Sequence, residues 1–356
     1  MCTGLPAVLV GDSLNNVIDI QAAPYNADPT GMVDAAPIIR AANQAGGVAW
    51  LGNGTFRIKS TISPQSNTAI MGYGATILID DSSGNIGDGF LLDAVRNVKL
   101  AGFAIDAVSA RSAGAHVRVK GGDPTFKLGS FAISRAQHVI DVDCNNWFDG
   151  VVVEDKSATN GAWGVSIGGT ADRFNFFTNG ATGRFPVDIN TPHGASILLN
   201  YLWPVGNATP ANGPAGIRIR GSGDTTLIGI RTWGTQQGLI VDPQVNGAES
   251  VMAIDASGCY FDFANAECFR FNPIAGLTIP IVANFVKTWF ASSLTTHDVR
   301  GSNGTGHRVN FGQCSFLNAA AFGLRGDTGC DATTFGNNNC NFGPPLVNAS
   351  GGASYV

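Results

Sequence analysis

Glycosidic hydrolysis needs two carboxyl groups facing one bond, about 5 Å apart for retention and about 6.5–9.5 Å apart for inversion. Glutamate is rare in this chain, with Glu154, Glu249 and Glu267 only, whereas aspartate is frequent. Most of the aspartates stand in Gly-rich stretches where an Asx-turn accounts for them. Asp242 and Asp255 stand instead in segments that recur along the chain, and Glu267 precedes another such segment. These three are the candidate catalytic carboxyls. A lyase would use a base and a cation that neutralises a uronate carboxylate. Arg218, Arg220, Arg270 and His297 have the right chemistry but form no signature.

The segments that must position these groups repeat in order. One series reads GIRIRG (216–221), GLIVDP (238–243), CFRFNP (268–273), HDVRGS (297–302) and FGLRGD (322–327). A second reads TWG (232–234), CYF (259–261), TWF (288–290), CSF (314–316) and CNF (340–342), and its last phenylalanines recur about every 26 residues. Short strands at a fixed period predict a solenoid of stacked coils. Side chains alternate along a strand, so Phe261, Phe290, Phe316 and Phe342 share a face with Cys259, Thr288, Cys314 and Cys340. A phenylalanine column belongs inside, which explains three cysteines as core.

Outward columns then follow. Trp233, Tyr260 and Trp289, continued by Ser315 and Asn341, offer either a platform for the apolar face of sugar rings or a subunit interface. Arg220, Asp242, Asn272, Arg300 and Arg325 suit an oligosaccharide with acidic groups, or are solvent-facing strand ends. Asp255, Asn284 and Asn310 form a third column, either hydrogen-bonding sugar hydroxyls or satisfying bends.

The N-terminal part supplies a cap. Asp34 opens a helix over residues 34–45, with Ala35, Ile38, Ile39 and Ala42 on one stripe and Gly46-Gly47 ending it. VAWL, TFRI and TAIM follow as strands. An amphipathic helix here covers the open end of a solenoid core. The segment 25–79 resembles the opening of the pectate-lyase-like β-helix superfamily, in the branch common among phage tailspikes. The matching pieces are Asp28 to Gly31, Asp34 to Ala45, Gly46-Gly47, Gly54-Thr55-Phe56 and Gly72 to Ala75. The resemblance implies an all-β, right-handed, single-stranded parallel β-helix, a homotrimer and action on glycans. The chain departs from the polygalacturonase-type relatives: Asn-Thr-Asp and Gly-His-Gly are absent.

Composition narrows the rest. The 356 residues are 44% hydrophobic and 13% charged, with 47 glycines and a net charge of −5. This disfavours nucleic acid and anionic membranes as partners, and no stretch is long and apolar enough to span a bilayer. The seven cysteines include no CxxC pair, so neither a zinc site nor a disulfide framework is expected. DDSSGNIGD (80–88) fails the spacing of a calcium loop.

The expected organisation is an N-terminal attachment arm (1–20), a β-helix over 21–346 and a C-terminal tail (347–356). The expected function is a phage-type tail or spike protein of the virion that binds, and cleaves or only holds, a host cell-surface polysaccharide without cofactor or metal. Its arm would meet other virion proteins. Two alternatives remain: a non-catalytic structural or decoration protein of the virion, and a free-standing, secreted polysaccharide lyase or glycoside hydrolase.

Overall fold

A computed structural model of the chain describes residues 16–82, 84, 86–121, 136–154, 163–168, 181–192, 195–221, 223–244, 252–303, 306–327, 330, 335–342 and 347–348. The arm up to residue 15 and the tail beyond residue 348 lie outside them. The chain is a right-handed parallel β-helix, and among the described residues it carries one α-helix, at its N-terminal end. Every strand pairing among the described residues is parallel, and strands meet their equivalents in the next coil. Sheet 1 starts at Val17–Asp19 and ends at Phe335–Asn338. Sheet 2 runs from Phe90–Asp93 to Val347–Asn348, so residues at the edges of the expected arm and tail take part in the ladders. Sheet 3 is narrower and is made of Arg231–Thr232, Tyr260–Asp262, Trp289–Ala291, Ser315–Leu317 and Asn341–Phe342.

The corners explain the period. Between sheets 1 and 3 one residue per coil has positive φ: Tyr201, Gly229, Gly258, Lys287, Gln313 and Asn339. After sheet 3 a second such column runs through Gly234, Phe263, Ser292 and Asn318. A single left-handed residue turns the chain sharply without a loop, which keeps successive coils superimposable. Coil length is not uniform. Asn284 and Asn310 are in register at a sequence separation of 26, whereas Asp255 and Asn284 are in register at a separation of 29. The coil of about 26 residues expected from the last phenylalanines therefore holds for the last coils, and the 29-residue step between Phe261 and Phe290 is a real longer coil.

Inside, stacked rings fill the prism. Phe261 and Phe290 stack at 5.6 Å, Phe290 and Phe316 at 5.3 Å, and Phe285 and Phe311 at 5.5 Å. Cys259, Thr288 and Cys314 are buried beside them, as the alternation requires. The Cys314 thiol donates to Phe285 O (3.3 Å) and the Cys340 thiol to Phe311 O (3.4 Å), so this column also helps to fasten adjacent coils. Both are free thiols. The Cys340 thiol and burial together push the Cys314 thiol's pKa well up, which keeps it inert.

The helix, Ala36–Gln44, buries Ala36, Ile39, Ala42 and Asn43. Ala35 is its N-cap by backbone geometry, yet Asp34 Oδ1 still takes the Ala36 N–H at 3.0 Å. Gly47 is obligatory at its exit: φ is +85°, and a Cβ there would lie 2.2 Å from Asn16 O. The preceding loop hangs on Asp28, whose carboxylate accepts from Thr30, Met32 and Val33; these bonds hold its pKa down at about 2.

Candidate functional site

Each sheet turns one face outward, and the three faces differ in chemistry. On sheet 2 the charges neutralise one another. Asp188 lies in register with Arg218 on the next coil, Arg220 stands two residues further along that coil, and Asp242 follows on the coil after it. The bonds run diagonally across these three coils. Arg218 grips Asp242 through Nε and Nη2 (2.9 and 2.6 Å), and Arg220 grips Asp188 (3.0 and 2.7 Å). Burial raises the pKa of Asp188 despite Arg220, and the bond to Asp242 raises that of Arg218. On the coils that follow, Glu267 takes Arg270 at 2.9 Å and Arg300 at 3.6 Å, and Asp327 takes Arg300 at 2.5 Å and Arg325 at 2.6 Å.

This arrangement corrects the arginine column read from the sequence. Arg300 is in register with Arg270 and Arg325, not with Asn272. Asn272 lies two residues on and accepts a hydrogen bond from the Ser302 hydroxyl. Asp242 and Glu267 are committed to arginines, and Glu267 is 1% exposed. A bidentate pair must break before either partner can serve a ligand, so this face acts as a clamp across coils. Arg218→Ala is expected to cost about 2 kcal/mol by stranding the buried Asp242, read as a lower urea midpoint. Adding Asp242→Asn should recover most of the loss; an unchanged midpoint in the single variant would contradict the clamp.

Sheet 1 carries the third column as read. Asn310 donates to Asn284 Oδ1 and Asn284 donates to Asp255 Oδ1, each at 2.8 Å, on the outward side. Asp255 is exposed and has no arginine partner among the described residues. It is on a different sheet from Asp242 and Glu267, so the three predicted catalytic residues do not converge. Its carboxylate neighbour is Asp224, which sequence reading missed. Asp224 pairs with Ala253, two residues before Asp255, which makes the two carboxylates diagonal neighbours roughly 8 Å apart at Cα. Asp224 Oδ1 accepts the Ser196 hydroxyl at 2.8 Å. Toward the N-terminus the same sheet borders a shallow cleft of about 240 Å³ along the strands of four successive coils.

Sheet 3 presents rings. Tyr260 pairs with Trp289, and the two stack at 5.6 Å while remaining 44% and 40% exposed. The residue beside Tyr260 in the preceding coil is Arg231, not Trp233. The Arg231 guanidinium stands 5.6 Å from the Tyr260 ring and 5.5 Å from the Trp203 ring. Trp203, Arg231, Tyr260 and Trp289 thus form one continuous ladder on four coils. Trp233, set two residues further on, stacks on Phe263 at 4.9 Å and widens the platform. Spacing could have revealed Arg231, since it precedes Tyr260 by the same interval that separates Tyr260 from Trp289. Trp203 carries no such signal because its coil is irregular.

This ladder is the face with most unsatisfied binding capacity. Flat rings and a guanidinium plane accept the CH face of a pyranose by dispersion, and the cation adds attraction for an anionic group. Coils rise by about 4.8 Å, so the rings follow one another at nearly the length of a sugar in an extended chain. Among the described residues no cluster of His, Cys, Asp and Glu could hold a metal ion.

No protein-family model matches the chain, and no curated protein matches it. Solved structures do. The A-module of mannuronan C-5 epimerase AlgE4 from Azotobacter vinelandii is similar at 12% identity, covering 96% of this chain and 99% of that one, with a TM-score of 0.56. The catalytic unit of a GH87 alpha-1,3-glucanase from Streptomyces thermodiastaticus is 14% identical over 99% of this chain and 70% of its own, with a TM-score of 0.41. At such identities the first likeness is one of fold, and the second is too loose to add to it. The fold is the one expected for the pectate-lyase-like β-helix superfamily.

Proposed function

We propose that this protein is a polysaccharide-binding β-helix of the phage tail or spike kind, which holds a host surface glycan along sheet 3. The observation that carries the reading is the exposed ladder Trp203, Arg231, Tyr260 and Trp289. A solenoid gains nothing in core stability from large rings left in water, and a repeating polymer is the ligand whose period matches a repeating surface. The resemblance at residues 25–79 supports the phage-type setting, in which the first residues attach the chain to the particle and three copies associate. The AlgE4 module, named as an epimerase of mannuronan, is a protein of this fold whose named partner is a polysaccharide, and it supports the same reading.

A second reading adds cleavage. Asp224 and Asp255 are outward-facing diagonal neighbours roughly 8 Å apart at Cα, and an inverting hydrolase needs two such carboxyl groups facing one bond with a water between them. One would protonate the leaving oxygen and the other would take a proton from the attacking water. Asp242 and Glu267 contribute less to this reading because their arginines hold them.

The test is retention of the protein on a panel of immobilised bacterial capsules and lipopolysaccharides, with reducing ends assayed in parallel. Retention on at least one, competed by the same soluble polysaccharide, is the expected result; no retention across a broad panel overturns the proposal. Release of reducing ends that stops in Asp224→Asn/Asp255→Asn establishes the second reading. Retention without release removes it and leaves the binding reading standing.

A further inference from the structure

Arg231 stands apart from the arginines of sheet 2. Those grip carboxylates on neighbouring coils, so they cannot meet a ligand without breaking an ion pair. Arg231 is exposed, lies between the Trp203 and Tyr260 rings, and has no carboxylate partner among the described residues. Stacking occupies the faces of a guanidinium and leaves the N–H donors at its edge for a planar anion.

A second cation follows two coils later. Lys287 holds the left-handed corner position between sheets 1 and 3, is exposed, and has no carboxylate partner among the described residues. Its equivalents in the two preceding coils are Gly258 and Gly229. The Tyr201 ring covers Gly229, where a Cβ would lie 2.6 Å from it, but a Cβ at Gly258 would meet nothing within 4 Å. The corner is therefore open beside Tyr260, with Arg231 one coil before it and Lys287 one coil after. Asp262 stands on the opposite flank of Tyr260, its carboxylate accepting the Phe263 N–H at 2.7 Å.

We propose that Arg231 and Lys287 are specificity-determining residues, which select a polysaccharide carrying a carboxylate on alternate sugars. This rests on the reading of the ladder as the glycan-holding face. Two coils separate the cations, about 10 Å along the axis, which is the reach of two sugars in an extended chain. Arg231 takes one carboxylate in a two-pronged, charge-assisted contact, and Lys287 takes the next as a point charge. The sugar between them stacks on Tyr260. Asp262 repels a carboxylate on that central unit, so the unit is neutral. A polymer with an acid group on every sugar meets this repulsion, and a neutral polymer gains nothing from either cation.

The experiment is biolayer interferometry of the whole protein on bacterial capsules of known repeat, with hyaluronan added as an alternating uronate, polygalacturonate as a continuous one and dextran as a neutral polymer. The tightest binding should fall on a polymer whose acidic sugars are separated by a neutral one. Reducing the carboxylates of that polymer to alcohols should weaken it tenfold or more. Arg231→Gln and Lys287→Gln should each weaken the native polymer by about tenfold and leave the carboxyl-reduced one unchanged. Both side chains are exposed, and Gln313 already occupies the next place in the Lys287 column at positive φ, so the variants suit their positions. Equal binding of the reduced polymer, equal or tighter binding of dextran or polygalacturonate, or a change under threefold in both variants would overturn the proposal. Tyr260→Ala/Trp289→Ala separates the two levels: if it still abolishes retention in those cases, the ladder reading stands without this selectivity. Retention that ignores the rings, or no retention at all, overturns both.

Discussion

Tyr260→Ala/Trp289→Ala should lower affinity for the bound polysaccharide by about 30-fold or more, while leaving the melting transition nearly unchanged. Each ring contributes dispersion to a stacked pyranose, about 1–2 kcal/mol in sites of this kind, and the two act on adjacent sugars. Removing Tyr260 also strips one of the two rings on which Arg231 rests, so the guanidinium loses its orientation as well. Stability is spared because both side chains project outward, away from the Phe261 and Phe290 stack that holds the core. Affinity measured by biolayer interferometry on the immobilised polysaccharide reads the effect. A change under threefold would mean that the rings are not the platform.

The second large effect concerns stability against pH. Asp298 is fully buried; one oxygen takes the Ser293 N–H at 3.3 Å, and the other finds no partner. Burial pushes its pKa up to about 8, hydrogen bonds from Ser293 and Leu317 pulling back and the charge of Asp262 adding to the rise. The unfolded chain would release this proton near pH 4, as a free aspartate does. Below pH 4 the residue costs nothing, because both states hold the proton. Between 4 and 8 only the unfolded state gives it up, so stability falls as pH rises, and above 8 the loss is complete. Asp298→Asn removes this slope. It should gain about 2–4 kcal/mol over the wild type at pH 8 and little at pH 4. Urea denaturation at the two pH values measures the difference; an equal gain at both would show that Asp298 is not protonated in the folded protein.

Much of the architecture could be read from residues alone, and the errors share one cause. The phenylalanine column, the Cys/Thr column beside it and the Asp255–Asn284–Asn310 ladder all lie where alternation put them. Alternation has period two, so a slip of one residue would have sent a charged side chain into the core and betrayed itself. A slip of two preserves inside and outside and leaves no trace. That is the slip at Trp233, two residues past Arg231, and at Asn272, two past Arg270. Coil lengths that change from one turn to the next supply the occasion for it.

The candidate site was legible only where the coils are regular. Tyr260 and Trp289 stood out because rings recur at the same place in the repeated CYF and TWF segments. Asp224 did not, since it lies in coils whose lengths vary. Nor does sequence show that Asp242 and Glu267 are held by arginines from other coils; ion pairing across a solenoid depends on register that a pattern leaves ambiguous by two.

The most direct test of the glycan-holding face is hydroxyl-radical footprinting of the protein with and without a polysaccharide that retains it. Protection concentrated on Trp203, Tyr260 and Trp289, with Phe148 and Phe185 beside the sheet 2 arginines unchanged, is the predicted result. Protection at Phe148 and Phe185 with the ladder rings still open to oxidation would contradict the account and move the glycan to the charged face.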